Sequence, residues 1–167
     1  TEYLIGLGHR RIAFLSGRAS ITTSALRTEG YLQGLELHGL STRDALVLES
    51  DFTFESGQQL ASELLALPKP PTAIFGSNDM VTLGCLVELK QRGISVPGQI
   101  SLAGFDDIPA TLMVDPALTT VRVPMREMGT MGVRQLLRLI NEEPIDSRLQ
   151  LPHELVVRAS TGPHRGP

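Results

Sequence analysis

The sequence predicts an α/β protein, a mostly parallel β-sheet with helices on both faces. Three observations carry this reading. Short apolar runs recur at Ile12 to Leu15, Ala45 to Leu48, Thr72 to Phe75 and Ile100 to Phe105. Longer stretches with helical apolar spacing separate them. The runs hold few polar residues, as strands buried on both faces should.

TEYLIGLGHRR at the start reads as the last turns of a helix. Tyr3, Leu4 and Leu7 give the spacing, and Gly8 falls where a glycine ends a helix. The first strand follows, then a polar loop from Gly17 to Thr23. Ala25, Leu26, Tyr31, Leu32 and Leu35 mark a helix that Gly39 ends. The second strand leads to a helix from Phe54 to Leu67, with Leu60, Ala61, Leu64 and Leu65 on one side. Pro68 and the prolines at 70 and 71 stop it, because proline lacks the N–H and blocks the turn before it. After the third strand, Ser77 or Asn78 caps a helix from Asp79 to Gln91. GISVPG at 93–98 turns the chain into the fourth strand. The pattern then changes. ALTTVRVP at 117–124 is extended, and a helix runs from Met125 to Ile140. Leu149 to Ser160 reads as a last strand, and the residues from 162 onward as a loose tail.

The chain has 167 residues, enough for one domain with a real core, and 41% of them are apolar. Its 16 glycines and 11 prolines are scattered without a period. A net charge of −3 gives no overall pull on nucleic acid or on acidic membranes. One cysteine, Cys85, excludes an internal disulfide framework and a cysteine zinc cluster, and suits a reducing compartment. No run approaches the ~18 apolar residues that a membrane span needs, and no signal peptide is visible. The opening inside a helix, without an initiator Met, reads as a piece with residues missing upstream.

In an open α/β sheet, ligands bind at the carboxyl ends of the strands. Four such ends carry polar groups here: the loop at 17–23 with Arg27 beyond it, Ser50–Asp51, Ser77–Asn78–Asp79, and Asp106–Asp107. The fold would gather them on one rim. Arg27 has five fixed donors for hydroxyls or a carboxylate, Asp106 offers acceptors, and Asn78 offers both. That set suits a sugar or a nucleoside, although a surface arginine on a helix is the plain alternative. Phe75 and Met125 are candidates to pack on an apolar ligand face, with core filling the alternative for Met125.

Other polar residues have structural explanations. Asp79 lies in the first turn of a helix, where a carboxylate satisfies free N–H groups and the helix dipole. Asp107 is expected to cap or brace the loop into Ile108 and Pro109. His9 is expected to tie the loop before the first strand. His38, His153 and His164 show no metal spacing. Cys85 sits among Leu83, Leu86 and Leu89 and reads as core. An enzyme using Asp106 and Asp107 as acid and base is disfavoured, because no phosphate-binding GxxxxGK[ST] loop and no GxSxG nucleophile turn occurs. No catalytic residue, cofactor or metal is therefore assigned.

These stretches closely resemble the effector-binding region of the LacI/GalR family of bacterial transcription regulators. The matching segments are LIGLGHRRIAFLSG at 4–17, RTEGYLQGL at 27–35, FESGQQLASELL at 54–65, PPTAIFGSNDMVTLGCLVELKQRGISVPGQISLAGFDDIPA at 70–110, PALTTVRVPMREMG at 116–129 and LPHELVVRAST at 151–161. They cover nearly the whole chain. The resemblance implies one Rossmann-like lobe of a periplasmic-binding-protein-like type I fold, with effector bound in a cleft between two lobes. Residues 1–120 would form the C-terminal lobe. Residues 121–146 would be a crossover strand and helix of a largely missing N-terminal lobe. Residues 147–161 would return, and 162–167 would be a flexible tail.

By the same resemblance, Arg27, Asn78 and Asp106 match effector-contacting positions. Phe75 and Met125 match positions often held by aromatic groups, so Met125 departs from the pattern. The loop at 17–25 varies between members and would set specificity. The implied protein is cytoplasmic and homodimeric. It would bind operator DNA through an N-terminal helix-turn-helix that this chain lacks, without a membrane partner. A periplasmic sugar-binding protein of a transport system is the rival reading, though GHRRI and SNDMVTLG favour the regulator. Without its partner lobe, the apolar face of the 125–140 helix is expected to be displaced, swapped or buried against another copy, since water on that face costs about 25 cal/mol per Å².

Overall fold

The computed structural model describes residues 1–146 and 148–164. Helix α1 (Glu2–Gly6) precedes strand β1 (Ile12–Ser16), helix α2 (Thr22–Leu37), strand β2 (Leu46–Glu49) and helix α3 (Phe54–Leu65). Strand β3 (Ala73–Gly76), helix α4 (Asp79–Gln91) and strand β4 (Ser101–Asp106) complete the regular alternation. A short 3₁₀ turn at Pro109–Leu112 leads to strand β5 (Thr119–Arg122), helix α5 (Met125–Ile140) and strand β6 (Glu154–Val156).

The six strands form one sheet in the order β2-β1-β3-β4-β5-β6. The first five are parallel, and β6 pairs antiparallel with β5 through Thr120–Val156 and Arg122–Glu154. The last strand is thus much shorter than the sequence suggests. Pro152 lacks the donor a ladder needs, and beyond Val156 the backbone bonds irregularly, with Ala159 N–H donating to Ala117 O at 3.1 Å.

Two cores sandwich the sheet, as strand alternation requires. Ala13, Leu15, Ile74 and Leu102 face α3 and α4, where Leu60, Leu64, Leu86 and Leu89 cover them. Ile12, Phe14, Ala73 and Ala103 face α1 and α2, where Leu4, Tyr31 and Leu35 cover them. Helices α3 and α4 touch through their backbones. A Cβ on Gly57 would lie 2.0 Å from Val81 O, and one on Gly84 2.0 Å from Phe54 O. Only glycine permits that approach. Buried Cys85 belongs to this core, as expected, and its thiol also donates to Gly57 O.

His9 is buried at the amino ends of the strands. Its Nδ1 lies 2.9 Å from Thr72 Oγ1, and its Nε2 is 3.0 Å from Ser101 Oγ and 3.1 Å from Gly162 O. Burial lowers its pKa, with the Gly162 carbonyl opposing and His164 reinforcing the shift. The residues read as the start of a loose tail are held as well. His164 N–H donates to Leu7 O at 2.8 Å, and its ring stacks on His9. Residues 165–167, the rest of that expected tail, lie outside the described residues.

No residue of α5 is buried. Its apolar stripe, including Met128, Val133, Leu136, Leu139 and Ile140, is exposed, so nothing among the described residues covers the face that the sequence expects to find a partner.

Candidate functional site

The strand order places four loops side by side at the carboxyl rim, after β2, β1, β3 and β4. Backbone and hydroxyl bonds hold them in register. Ser50 N–H and Oγ both donate to Ser16 O, at 2.8 and 2.7 Å, and Ser77 N–H donates to Leu15 O at 2.8 Å.

Arg27 comes to this rim from the second turn of α2. One guanidinium nitrogen donates to Ser77 O at 2.5 Å, and the other lies 3.9 Å from Asp106 Oδ1. The guanidinium carbon sits 4.0 Å from the centre of the Phe105 ring. The Ser77 carbonyl and the ring fix the direction of the cation. At 3.9 Å the Asp106 pair is too long for a hydrogen bond, so donors and acceptors remain open to a third group. Desolvation lowers the pKa of Arg27 against the pull of Asp106. Desolvation also raises that of Asp106, and Arg27 opposes it. The site is a partly desolvated, partly exposed ion pair, the kind of place where a polar ligand gains from both charges.

Asn78 stands between these loops but is already engaged. Its Oδ1 caps α4 by accepting from Val81 N–H at 2.9 Å, and its Nδ2 donates to Phe52 O at 3.1 Å. One lone pair and one N–H are left for a ligand. Met125, at the start of α5, shares an open groove with Asp106, Asp107 and Arg122. Phe75 is not brought to that groove. The strand pleat turns it toward α1 and α2, where it tilts on Phe14 at 5.3 Å and borders a separate groove with Tyr3, Ala103 and Leu155.

One carboxylate departs from its expected role and a second does more than expected. Asp79 was expected to satisfy the first turn of its own helix, but Asn78 does that. Asp79 is fully buried and reaches sideways, accepting from Thr120 Oγ1 at 2.6 Å and from Ile108 N–H at 2.9 Å. A Cβ on Gly104 would lie 2.3 Å from its Oδ1, so that glycine makes the space. Desolvation drives its pKa up to about 6, against the bonds from Thr120 and Ile108 and with a push from Asp106. Asp107 does brace its loop, through Thr111 Oγ1 at 3.3 Å, but its main partners are Arg158 at 2.5 Å and Arg122 at 2.6 Å. Burial opposes its ionisation, yet the two arginines outweigh this and hold its pKa below the usual value.

Sequence reasoning passed over Phe52, Phe105, Arg122 and Arg158. Phe52 follows the polar pair at the end of β2 and has φ 68°. Its ring fills the space over Gly17, where a Cβ would lie 1.9 Å from the ring. Its place directly after Ser50–Asp51 was the available signal. The other three depend on contacts across strands, which spacing does not encode. Asp106 and Asp107 also carry positive φ, 116° and 62°, each a conformation that costs a non-glycine residue roughly 1–3 kcal/mol.

A parallel sheet with an open rim of this kind defines one lobe of a periplasmic-binding-protein-like domain, and the family model described as a periplasmic binding protein-like domain matches residues 1–161. Catabolite control protein A of Priestia megaterium is 38% identical over 162 residues, which is 96% of this chain and 49% of that protein. The HTH-type transcriptional repressor CytR of Escherichia coli K12 is 37% identical over 161 residues, 96% of this chain and 47% of that protein. A solved transcriptional regulator LacI from Bacillus cereus subsp. cytotoxis superimposes with a TM-score of 0.94 at 33% identity, covering 98% of this chain and 58% of that one. The chain belongs to the periplasmic binding protein-like domain family, and the relatives it matches here are transcriptional regulators of the LacI type. It spans about half the length of the curated relatives it matches, and these are regulators, not enzymes.

Proposed function

We propose that the chain is the effector-sensing lobe of a cytoplasmic, homodimeric DNA-binding repressor, and that its effector is a small polar molecule of the sugar or nucleoside class. The observation that carries this is the Arg27–Asp106 pair. It is aimed and partly desolvated, and at 3.9 Å it is not closed on itself. Vicinal hydroxyls fit such a pair, donating to the carboxylate and accepting from the guanidinium. Asn78 adds one free N–H, and Met125 supplies a soft apolar wall. Phe52 and Phe105 offer ring surface on the same rim. A second lobe closing over the ligand would favour one arrangement of the lobes, and thereby of the DNA-binding heads, by its differential affinity for the two states. Operator contact belongs to the part of the regulator outside this chain, since a net charge of −3 gives this lobe no overall pull on DNA.

Titration calorimetry of the full-length protein against D-ribose, D-glucose, cytidine and adenosine tests the reading. A bound ligand should lose about 100-fold in affinity with Arg27→Ala or Asp106→Ala, the scale for stranding a partly desolvated charged partner against the ligand. A ligand whose affinity is untouched by both substitutions would place the site elsewhere.

A further inference from the structure

We propose that Asp107 is the positioning residue that couples the neighbouring Asp106 to both strands through which the chain leaves and re-enters the lobe. The inference rests on Asp106 being an effector contact, and it adds the route by which occupancy is felt elsewhere.

The geometry is specific. Asp107 is only 9% exposed, and its two oxygens hold different partners. Oδ2 accepts from Arg122 Nε at 2.6 Å, and Oδ1 accepts from Arg158 Nη2 at 2.5 Å. Arg122 is the last residue of β5, directly before the excursion over 123–153. Arg158 follows the end of β6, where the chain has come back. Arg158 also donates to Leu118 O and Thr111 Oγ1, and Arg122 pairs with Glu154 at 3.0 Å, which ties the two crossings to each other. One carboxylate therefore gathers both ends of the excursion.

Asp106 and Asp107 point to opposite partners, Asp106 to Arg27 and Asp107 to the crossings. Both are held at positive φ. A turn of the peptide between them cannot satisfy one carboxylate without moving the other. Asp79 backs the same loop from behind, holding Ile108 N–H and Thr120 of β5. A group that draws Asp106 toward or away from Arg27 thus displaces the ends of β5 and β6 rather than the rim alone. A carboxylate is required, because an amide in its place would turn an N–H toward one of the two arginines.

The test is a cycle of substitutions in the full-length protein, read by amide hydrogen exchange without ligand. Asp106→Asn perturbs the rim, and exchange is followed in β5, β6, β1 and β3. With Asp107 present, Asp106→Asn should change exchange in β5 and β6 by about fivefold or more, the lower end of ordinary coupling. With Asp107→Asn, that response should shrink to within about twofold, while β1 and β3 stay unchanged in every variant. Arg158→Lys, which keeps the charge but not the fork, should give an intermediate response and stands in if Asp107→Asn does not fold. An equal response in both backgrounds, no response in either, or acceleration of β1 and β3 alongside β5 and β6 would overturn the proposal. The last result would make Asp107 a general brace of the fold. Failure of every sugar and nucleoside in the calorimetric panel would instead sink the effector reading and leave the outcome of this cycle standing.

Discussion

Helices α4 and α5 are both rich in apolar residues, yet eight of the thirteen residues of α4 are buried and none of the sixteen of α5. Helix α4 has apolar residues on several sides because the sheet lies on one flank and α3 on another. Helix α5 has a single clean stripe, with Leu136 56% and Ile140 67% exposed. The sharper amphipathic pattern is therefore the one without a partner. Periodicity records which face a helix would bury, whereas burial depends on whether the complementary surface is in the same chain.

The largest effect separates the two regions directly. Leu86→Ala, in the core under α4, should destabilise the chain by about 2–5 kcal/mol. Leu136→Ala in α5 should cost less than about 1 kcal/mol, because little burial is lost. Urea unfolding of both variants gives the two numbers. Comparable losses would mean that another surface covers α5 in solution.

A smaller effect sharpens the comparison at the border, where Asp79 of α4 grips β5. Its folded pKa, about 6, lies above the ordinary 3.8. The stability associated with its protonated form is fully present below the unfolded value and is lost as pH rises through about 6. The raised pKa corresponds to a penalty of about 3 kcal/mol at neutral pH. His9 works in the opposite sense, since its lowered pKa removes stability as pH falls below about 6.5. Comparing the protein with Asp79→Asn from pH 4 to 7 cancels the histidine contribution. The stability difference should shift in favour of the variant as pH rises. Parallel curves would show that Asp79 ionises freely in the fold.

The smallest effect is a gain. Gly129 lies inside α5, and a Cβ there meets nothing within 4 Å. Gly129→Ala should raise the melting temperature slightly, by about 0.5–1 kcal/mol of stability, through helix propensity alone. A loss instead would reveal a close neighbour on that face.

Much of the lobe was legible in the chain. The first four strands and the helices between them fall within a residue or two of where apolar runs and spacing put them, and the four polar loops do share one rim. Arg27 and Asp106 were named as candidates because a forked donor and an acceptor near the strand ends suit a polar ligand, and the structure brings them to 3.9 Å of each other. Asp79 was misread because its position fits a helix cap, and only the neighbouring β5 and the space left by Gly104 show that it reaches sideways. Phe75 was a candidate to pack on an apolar ligand face, and the pleat turns it onto Phe14, away from the groove that holds Met125 and Asp106.

What the sequence determined by itself is the part governed by local rules: where strands and helices form, which faces are apolar, and which loops end on the carboxyl side. These follow from steric and hydrophobic periodicity within a few residues. The tertiary structure alone decided the rest. It gave both crossings to Asp107, opened the Arg27–Asp106 pair to 3.9 Å, buried Asp79 and left α5 bare. Each of those depends on side chains from strands far apart in the chain, and long-range distances carry no period to read.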